Sequence, residues 1–343
     1  MAQGFVQIPS PSNRIGELVT YDVPSLVDED GSVLVQFLAA PVNRVDVMAL
    51  SGQYPVKPRY TIKDKLVPGF DGCGMVLEST SSKFEKGDLV LPRELGLGTW
   101  RTHAVLPDTV LMKLPPRIRP LDAALLRSGA LVAWLLIEEL APLKPGDYIM
   151  MSAGTSCVAQ FLVQLARLKG INTILIIRNR DSIVETRNKL LGLGATAVLA
   201  EEDLCGMKSP LIGKITLALD CVFGTVGQNM VSWLAPVGKY VLVGMLGGQE
   251  TGITVNTKHL FYRQLSFVPF RSSDVLKRMG DEKVEQLVTK IACLLIDGTL
   301  QPPDVNTVRW DQHEKEDLEQ SLLQAMEMVH NGEVGYKKTV WIL

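Results

Sequence analysis

A chain of 343 residues, 46% of them hydrophobic, has the length for about two domains of roughly 150 residues, each with its own core. Its formal net charge of −2 lacks the basic excess of a nucleic-acid binder. Its five cysteines (Cys73, Cys157, Cys205, Cys221, Cys293) lie too far apart for a zinc quartet or a disulfide framework, which points to a reducing compartment and to cysteines that act as small hydrophobes.

The opening residues 1–10 lack the basic start and apolar stretch of a secretory signal, and are too short and arginine-poor for a transit peptide, although Met1 could follow a removed one. From Gly31 to Leu106 short apolar runs alternate with turn residues: Val33–Leu38, Met75–Glu78, Asp88–Pro92 and Thr102–Leu106. This predicts an all-β region, a partly open barrel. The pattern changes at Pro115-Pro116. A helix is predicted over Leu121–Leu140, whose Asp122, Arg127, Glu138 and Glu139 argue for a buried core helix over a membrane span. Strands at Tyr148–Met151, Thr173–Ile177, Ala197–Ala200, Ile215–Cys221 and Lys239–Val243 then alternate with helices at Ser156–Lys169, Asp181–Leu193 and Val226–Leu234. That alternation predicts a parallel sheet covered on both faces, with Gly170, Gly194 and Gly238 at helix ends or reversals. Two amphipathic helices, Asp281–Asp297 and Lys315–Asn331, and a last strand, Lys338–Trp341, read as a return to the first domain.

Within this series, Tyr148–Arg180 has the order strand, small-residue turn, helix, strand. It is the phosphate-binding half of a dinucleotide fold, in which a pyrophosphate lies over the helix N-terminus. The second strand ends in Arg178-Asn179-Arg180, where an acid would favour NAD and cations suit the additional phosphate of NADP. The glycine pattern is incomplete: counted from Gly154, Ser156 and Ala159 stand at the next two glycine sites, and Cys157 adds a side chain to the turn.

The stretch Pro68–Val76, P-G-F-D-G-C-G-M-V, is similar to the P-G-x-E-x-x-G-x-V strand of the medium-chain dehydrogenase/reductase superfamily, with Asp71 in place of the Glu. Phe70 stands where the zinc-binding branch has His, so the resemblance implies no catalytic metal. Three further segments, Ala39–Tyr54, Gly96–Val105 (G-L-G-T-W-R-T-H-A-V) and Ile176–Arg180, resemble the zinc-independent, quinone-oxidoreductase-like branch of mitochondrial trans-2-enoyl-CoA and enoyl-ACP reductases. The resemblance implies an α/β chain with two domains. One is a discontinuous GroES-like catalytic domain (1–120 and 273–343), a β-rich partly open barrel. The other is a Rossmann domain (121–272) with a doubly wound parallel sheet.

It also implies NADPH-dependent reduction of the 2,3 double bond of a trans-2-enoyl thioester in fatty-acid synthesis. Tyr54 matches the family's proton donor; a phenol, with an ordinary pKa of about 10, stays protonated at neutral pH. Asn43, Gly129 and Trp100 would orient substrate or nicotinamide. The cofactor would meet Thr155, Ser156, Cys157 and Val158 in the turn, Arg178, Asn179 and Arg180 at the second strand end, and Val243, Gly244, Met245 and Leu246 beside the nicotinamide. Pro269, Phe270 and Lys338 complete the set.

A small acyl thioester is the implied substrate, with acyl carrier protein as its possible bearer, and a homodimer paired at a sheet edge is the family expectation. A mitochondrial location is implied, a cytoplasmic one being the alternative. Departures weigh against activity: Thr155 and Cys157 replace the family's Asn and Gly, Gly129 and Val132 its Asn and Thr, and Pro269-Phe270 its F-W pair. A lost buried hydrogen bond costs about 1 kcal/mol. Two other readings therefore stand beside the first, a quinone or small-enone reductase and a non-catalytic member with a degraded cofactor turn.

Overall fold

Strands β1 (Ala2–Gln7) and β2 (Gly16–Tyr21) pair antiparallel at the start of the chain. The ten-residue β3 (Ser32–Pro41) follows and is buried along most of its length. Its alternate residues Val33, Val35 and Phe37 pack with Val76, Val90, Leu106 and Leu111, the period of two that a strand over a core requires. Helix α1 (Arg44–Leu50) leaves the end of β3, and a small hairpin, β4 (Thr61–Ile62) and β5 (Lys65–Leu66), comes next. Strands β6 (Cys73–Ser79), β7 (Leu89–Pro92), β8 (His103–Pro107) and β9 (Leu111–Lys113) complete the β-rich stretch.

The computed structural model describes residues 1–8, 15–26, 29–206, 208–248, 251–310 and 315–343. The single helix expected over Leu121–Leu140 comes apart into α2 (Pro120–Ala124), a π-helical turn at Leu126–Leu131, and α3 (Val132–Glu138). A π turn admits an additional residue to the helical ladder and marks places where side-chain demands override regular packing. Here the demand is Arg127, drawn to a buried carboxylate, and Gly129, which has no side chain to pack.

The middle of the chain is a doubly wound unit. Its elements are β10 (Tyr148–Met151), α4 (Cys157–Leu168), β11 (Asn172–Ile177), α5 (Ile183–Leu193), β12 (Ala197–Ala200) and β13 (Ile215–Asp220). After these come α6 (Thr225–Trp233), β14 (Leu234–Leu242), β15 (Ser266–Pro269) and α7 (Ser272–Met279). All its strand pairs are parallel, in the order β12-β11-β10-β13-β14-β15. Burial on both faces explains the continuous apolar runs such as Thr173–Ile177. Strand order reverses between β10 and β13, the switch point at which ligands bind outside the carboxyl ends of the strands.

The tail supplies α8 (Asp281–Ile296), β16 (Val305–Arg309), α9 (Lys315–Asn331) and β17 (Lys338–Ile342). β17 pairs antiparallel with β3 and carries β16 on its outer side, which makes a seven-stranded sheet. Phe5, Trp100, Trp310 and Trp341 cluster with Leu318, Leu322 and Met326 of α9, the Trp100 and Trp341 ring centroids 4.2 Å apart. Two compact units result, residues 1–128 with 281–343, and residues 129–280. Among the described residues no helix is long and apolar enough to cross a membrane.

Candidate functional site

The first unit holds a cluster of buried charge where α1 leaves β3. Asn43 caps α1 with extended backbone (φ −96°, ψ 152°), and its N–H donates to Asp46 Oδ2 at 2.8 Å. Asp46 is fully buried, and its Oδ1 accepts the Phe70 N–H at 2.9 Å. Burial pushes the Asp46 carboxyl up to about 7; the Asn43 N–H pulls against this, Asp71 adds to it, and the Phe70 N–H and Lys338 oppose it. Asp71 is also buried. It takes Arg127 Nη1 at 2.9 Å and, over a longer 3.4 Å, Asn43 Nδ2, while its backbone carbonyl accepts Thr99 Oγ1 at 2.6 Å.

The P-G-F-D motif sets this geometry. Gly69 has φ +97°, and a Cβ there would lie 2.8 Å from the Trp100 nitrogen, so glycine lets the loop close and aims Phe70 and Asp71 inward. Tyr54, half-buried just after α1, holds its ring 6.0 Å from that of Phe70. Lys338 Nζ donates to the Val42 carbonyl at 2.8 Å, next to Asn43. Tyr54, Asn43 and Lys338, far apart in sequence, thus meet around one motif. Trp100 does not join them: its indole is fully buried against Phe5 and Trp341, with its N–H toward the Pro41 carbonyl at 3.4 Å, so its part is packing.

In the second unit, β10 ends at a turn that begins with Ser152. Ser152 Oγ donates to Asp220 Oδ1 at 2.6 Å and accepts the Cys221 N–H at 2.7 Å, which ties the ends of β10 and β13 across the switch point. Asp220, fully buried, also accepts the Val222 and Phe223 N–H groups at 2.9 and 3.1 Å and the Tyr240 hydroxyl. Burial foremost, with the Asp220 charge adding, pushes the Cys221 thiol up to about 12, and the same two causes raise the Tyr240 phenol further. The backbone N–H groups of Val243 and Gly244 bond the Asp220 carbonyl at 2.7 and 3.2 Å, and Leu246 bonds that of Cys221 at 2.9 Å. The run Val243–Leu246 therefore lies along the same strand end, with Met245 and Leu246 exposed. Phe270 is buried, its N–H on the Leu242 carbonyl at 2.9 Å, and Pro269 ends β15.

The phosphate turn fits a pyrophosphate. Ser156 caps α4, its Oγ accepting the Ala159 N–H at 3.2 Å, and Thr155, Cys157 and Val158 surround that helix start. Cys157 does not stand alone among the departures. A Cβ on Gly129 would lie 2.6 Å from Cys157 Sγ and 3.0 Å from the Phe161 ring, so the thiol occupies the room that any side chain at 129 would need. Gly129 and Cys157 are thus sterically complementary. Val132 is half-buried at the start of α3. Arg178 and Asn179 are exposed just past the end of β11, and Arg180 is half-buried.

Sequence reading missed the Asp46, Asp71 and Arg127 cluster and Asp220. Arg127 inside an apolar stretch is the signal for the first, since a charge in a core helix needs a partner; Asp220 at the end of an apolar strand is the signal for the second. Among the described residues no group of three His, Cys, Asp or Glu side chains is placed to hold a metal ion.

Comparison with known proteins agrees with this architecture. The profile of the alcohol dehydrogenase GroES-like domain matches residues 29–116, and that of the zinc-binding dehydrogenases matches residues 157–291. The mitochondrial enoyl-acyl-carrier-protein reductase of Rattus norvegicus is 32% identical over 304 residues, 87% of this chain and 79% of that protein. Among solved structures, the mitochondrial 2-enoyl thioester reductase Etr1p/Etr2p heterodimer from Candida tropicalis superposes with a TM-score of 0.86 at 25% identity, over 100% of this chain and 99% of that one. A mutant of Etr1p in complex with NADP and crotonyl-CoA gives a TM-score of 0.85 at 25% identity, with the same coverage. The chain belongs to the medium-chain dehydrogenase/reductase superfamily, in the family of the enoyl-acyl-carrier-protein reductases.

Proposed function

We propose that the protein reduces the 2,3 double bond of trans-2-enoyl thioesters with NADPH. The observation that carries this is the pair Arg178 and Arg180 at the end of β11, beside the Ser156-capped turn, in a chain whose relatives carry out enoyl reduction. When bound, NADPH supplies the hydride for the β carbon. The chain's own residues do the rest. The first turn of α4 receives the pyrophosphate, the two guanidiniums take the 2′-phosphate, and Val243–Leu246 flanks the nicotinamide. Tyr54 donates to the thioester as charge develops and delivers the proton for the α carbon. Asn43 and Lys338, held by Asp46, Asp71 and the Val42 carbonyl, orient the reacting groups.

The chemistry predicts that purified protein converts crotonyl-CoA to butyryl-CoA with one NADPH consumed per product. Turnover of quinones with none of crotonyl-CoA would remove this reading. The partner reading is a homodimer. β15 is an edge strand of its sheet, and Leu260, Phe261 and Tyr262 nearby are 56%, 73% and 75% exposed, a surface suited to a second copy. Sedimentation of the full chain at the monomer mass would contradict it. The substrate arrives on acyl carrier protein or coenzyme A, and the relatives' location supports a mitochondrial place of action, which imaging of the tagged full chain tests.

A further inference from the structure

We propose that Glu201 sets cofactor specificity by competing with the 2′-phosphate for Arg178 and Arg180. The inference rests on the reading of those two arginines as the NADPH grip. β11 and β12 are parallel neighbours in which Ile177 lies opposite Ala200, so Arg178 and Glu201 are the next residues off two adjacent strand ends. Adjacent strands lie about 4.8 Å apart, which brings carboxylate and guanidinium within reach of each other on the carboxyl-terminal edge of the sheet. Glu201 is half-buried there, the first residue of a short 3₁₀ turn, Glu201–Leu204.

Four charged groups influence its ionisation. Arg178 and Arg180 favour its anion, whereas Glu202 and Asp220 oppose it; burial is the largest influence and raises the carboxyl. Asp203, in the same turn, has its own cation, with Arg187 at 3.9 Å.

The consequence follows from charge balance. Without a phosphate, the Glu201 carboxylate lies in the field of the two guanidiniums. A 2′-phosphate brings about −1.5 to −2 charges to the same cations, a second anion beside Glu201 at a partly buried place. Glu201 then takes one proton from solvent or turns outward. NADPH binding is thereby coupled to proton uptake and weakened by the displacement, whereas NADH, with no phosphate there, leaves the pairing as it was. Glu201 is a positioning and discriminating residue, not a catalytic one.

The test is a fluorescence titration of the full chain with NADPH and with NADH, from mildly acidic to mildly alkaline pH, in wild type, Glu201→Gln and, as a control, the exposed Glu202→Gln. Glu201→Gln should bind NADPH about tenfold more tightly, equivalent to roughly 1.4 kcal/mol, and NADH unchanged. Relative to Glu201→Gln, wild type should lose NADPH affinity as pH rises. The phosphate's own ionisation acts with the opposite sign in both proteins and cancels in that comparison. Glu202→Gln should shift affinity much less. NADPH binding that is unchanged or weaker in Glu201→Gln would overturn the competition. Equal affinity of wild type for NADPH and NADH would instead overturn the arginine grip, and the competition with it.

Discussion

Two clusters of charge, one in each unit, differ in burial. In the first unit Asp46, Asp71 and Arg127 are buried, and the chain itself supplies their partners: the Asn43 and Phe70 N–H groups, the Asn43 amide, and each other. In the second, Arg178 is exposed and Arg180 half-buried at a strand end on the ligand edge of a doubly wound sheet. Charge satisfied internally fixes the shape of a segment, here the loop that presents Tyr54 and Asn43. Charge at an exposed strand end can be reached by a ligand. Under the proposed function, substitutions in the two clusters should fail in different ways.

The largest effect should come from the buried side. Arg127→Leu leaves the Asp71 carboxylate buried without its cation and should cost about 3–5 kcal/mol of stability, read as a lower denaturant midpoint. Adding Asp71→Asn should recover part of it; no recovery would mean that Arg127 acts by packing alone. Tyr54→Phe should leave stability and NADPH affinity intact while cutting kcat by about 10²-fold or more. An unchanged kcat would take the proton donor role from Tyr54.

Gly129→Ala should destabilise by about 1–3 kcal/mol, because its Cβ meets Cys157 Sγ at 2.6 Å, and Cys157→Ala in the same chain should relieve part of that loss. Additive melting temperatures in the double variant would show that the two positions are independent. A further effect is on pH dependence. Because burial raises the Asp46 carboxyl from 3.8 to about 7, the folded state binds more protons than the unfolded one between those values. Stability from this group is therefore full below the lower value and is lost as pH rises through about 7. The difference in unfolding free energy between wild type and Asp46→Asn should fall across that window and level off above it; a flat difference would contradict the raised carboxyl.

Much of this was legible from local pattern. The strand, turn, helix and strand of Tyr148–Ile177 lie where apolar runs and small residues placed them, and β12 spans Ala197–Ala200 as read. Elements shaped by distant contacts were not. The continuous helix expected at Leu121–Leu140 is broken by a π turn that carries Arg127 to a carboxylate 56 residues earlier in the chain. β15 escaped notice because a four-residue edge strand, half-exposed and ending in Pro269, has no apolar period. Cys157 read as an intrusion into the phosphate turn because its seat on Gly129 is a three-dimensional fact. The burial of Asp46 leaves no local signal, because two backbone N–H groups hold it and one of them, from Phe70, is 24 residues away. Similarly, the nearness of Glu201 to Arg178 is set by strand register, which sequence does not display.

The most direct test of the central claim, that the edge arginines are the cofactor grip and the buried cluster is not, is cofactor affinity in Arg178→Ala. Wild type should bind NADPH more tightly than NADH. Arg178→Ala should lower the affinity for NADPH by about 1.5–3 kcal/mol, leave NADH unchanged and so erase most of the preference. Equal binding of the two cofactors by wild type, or a preference for NADPH that survives Arg178→Ala, would contradict the account.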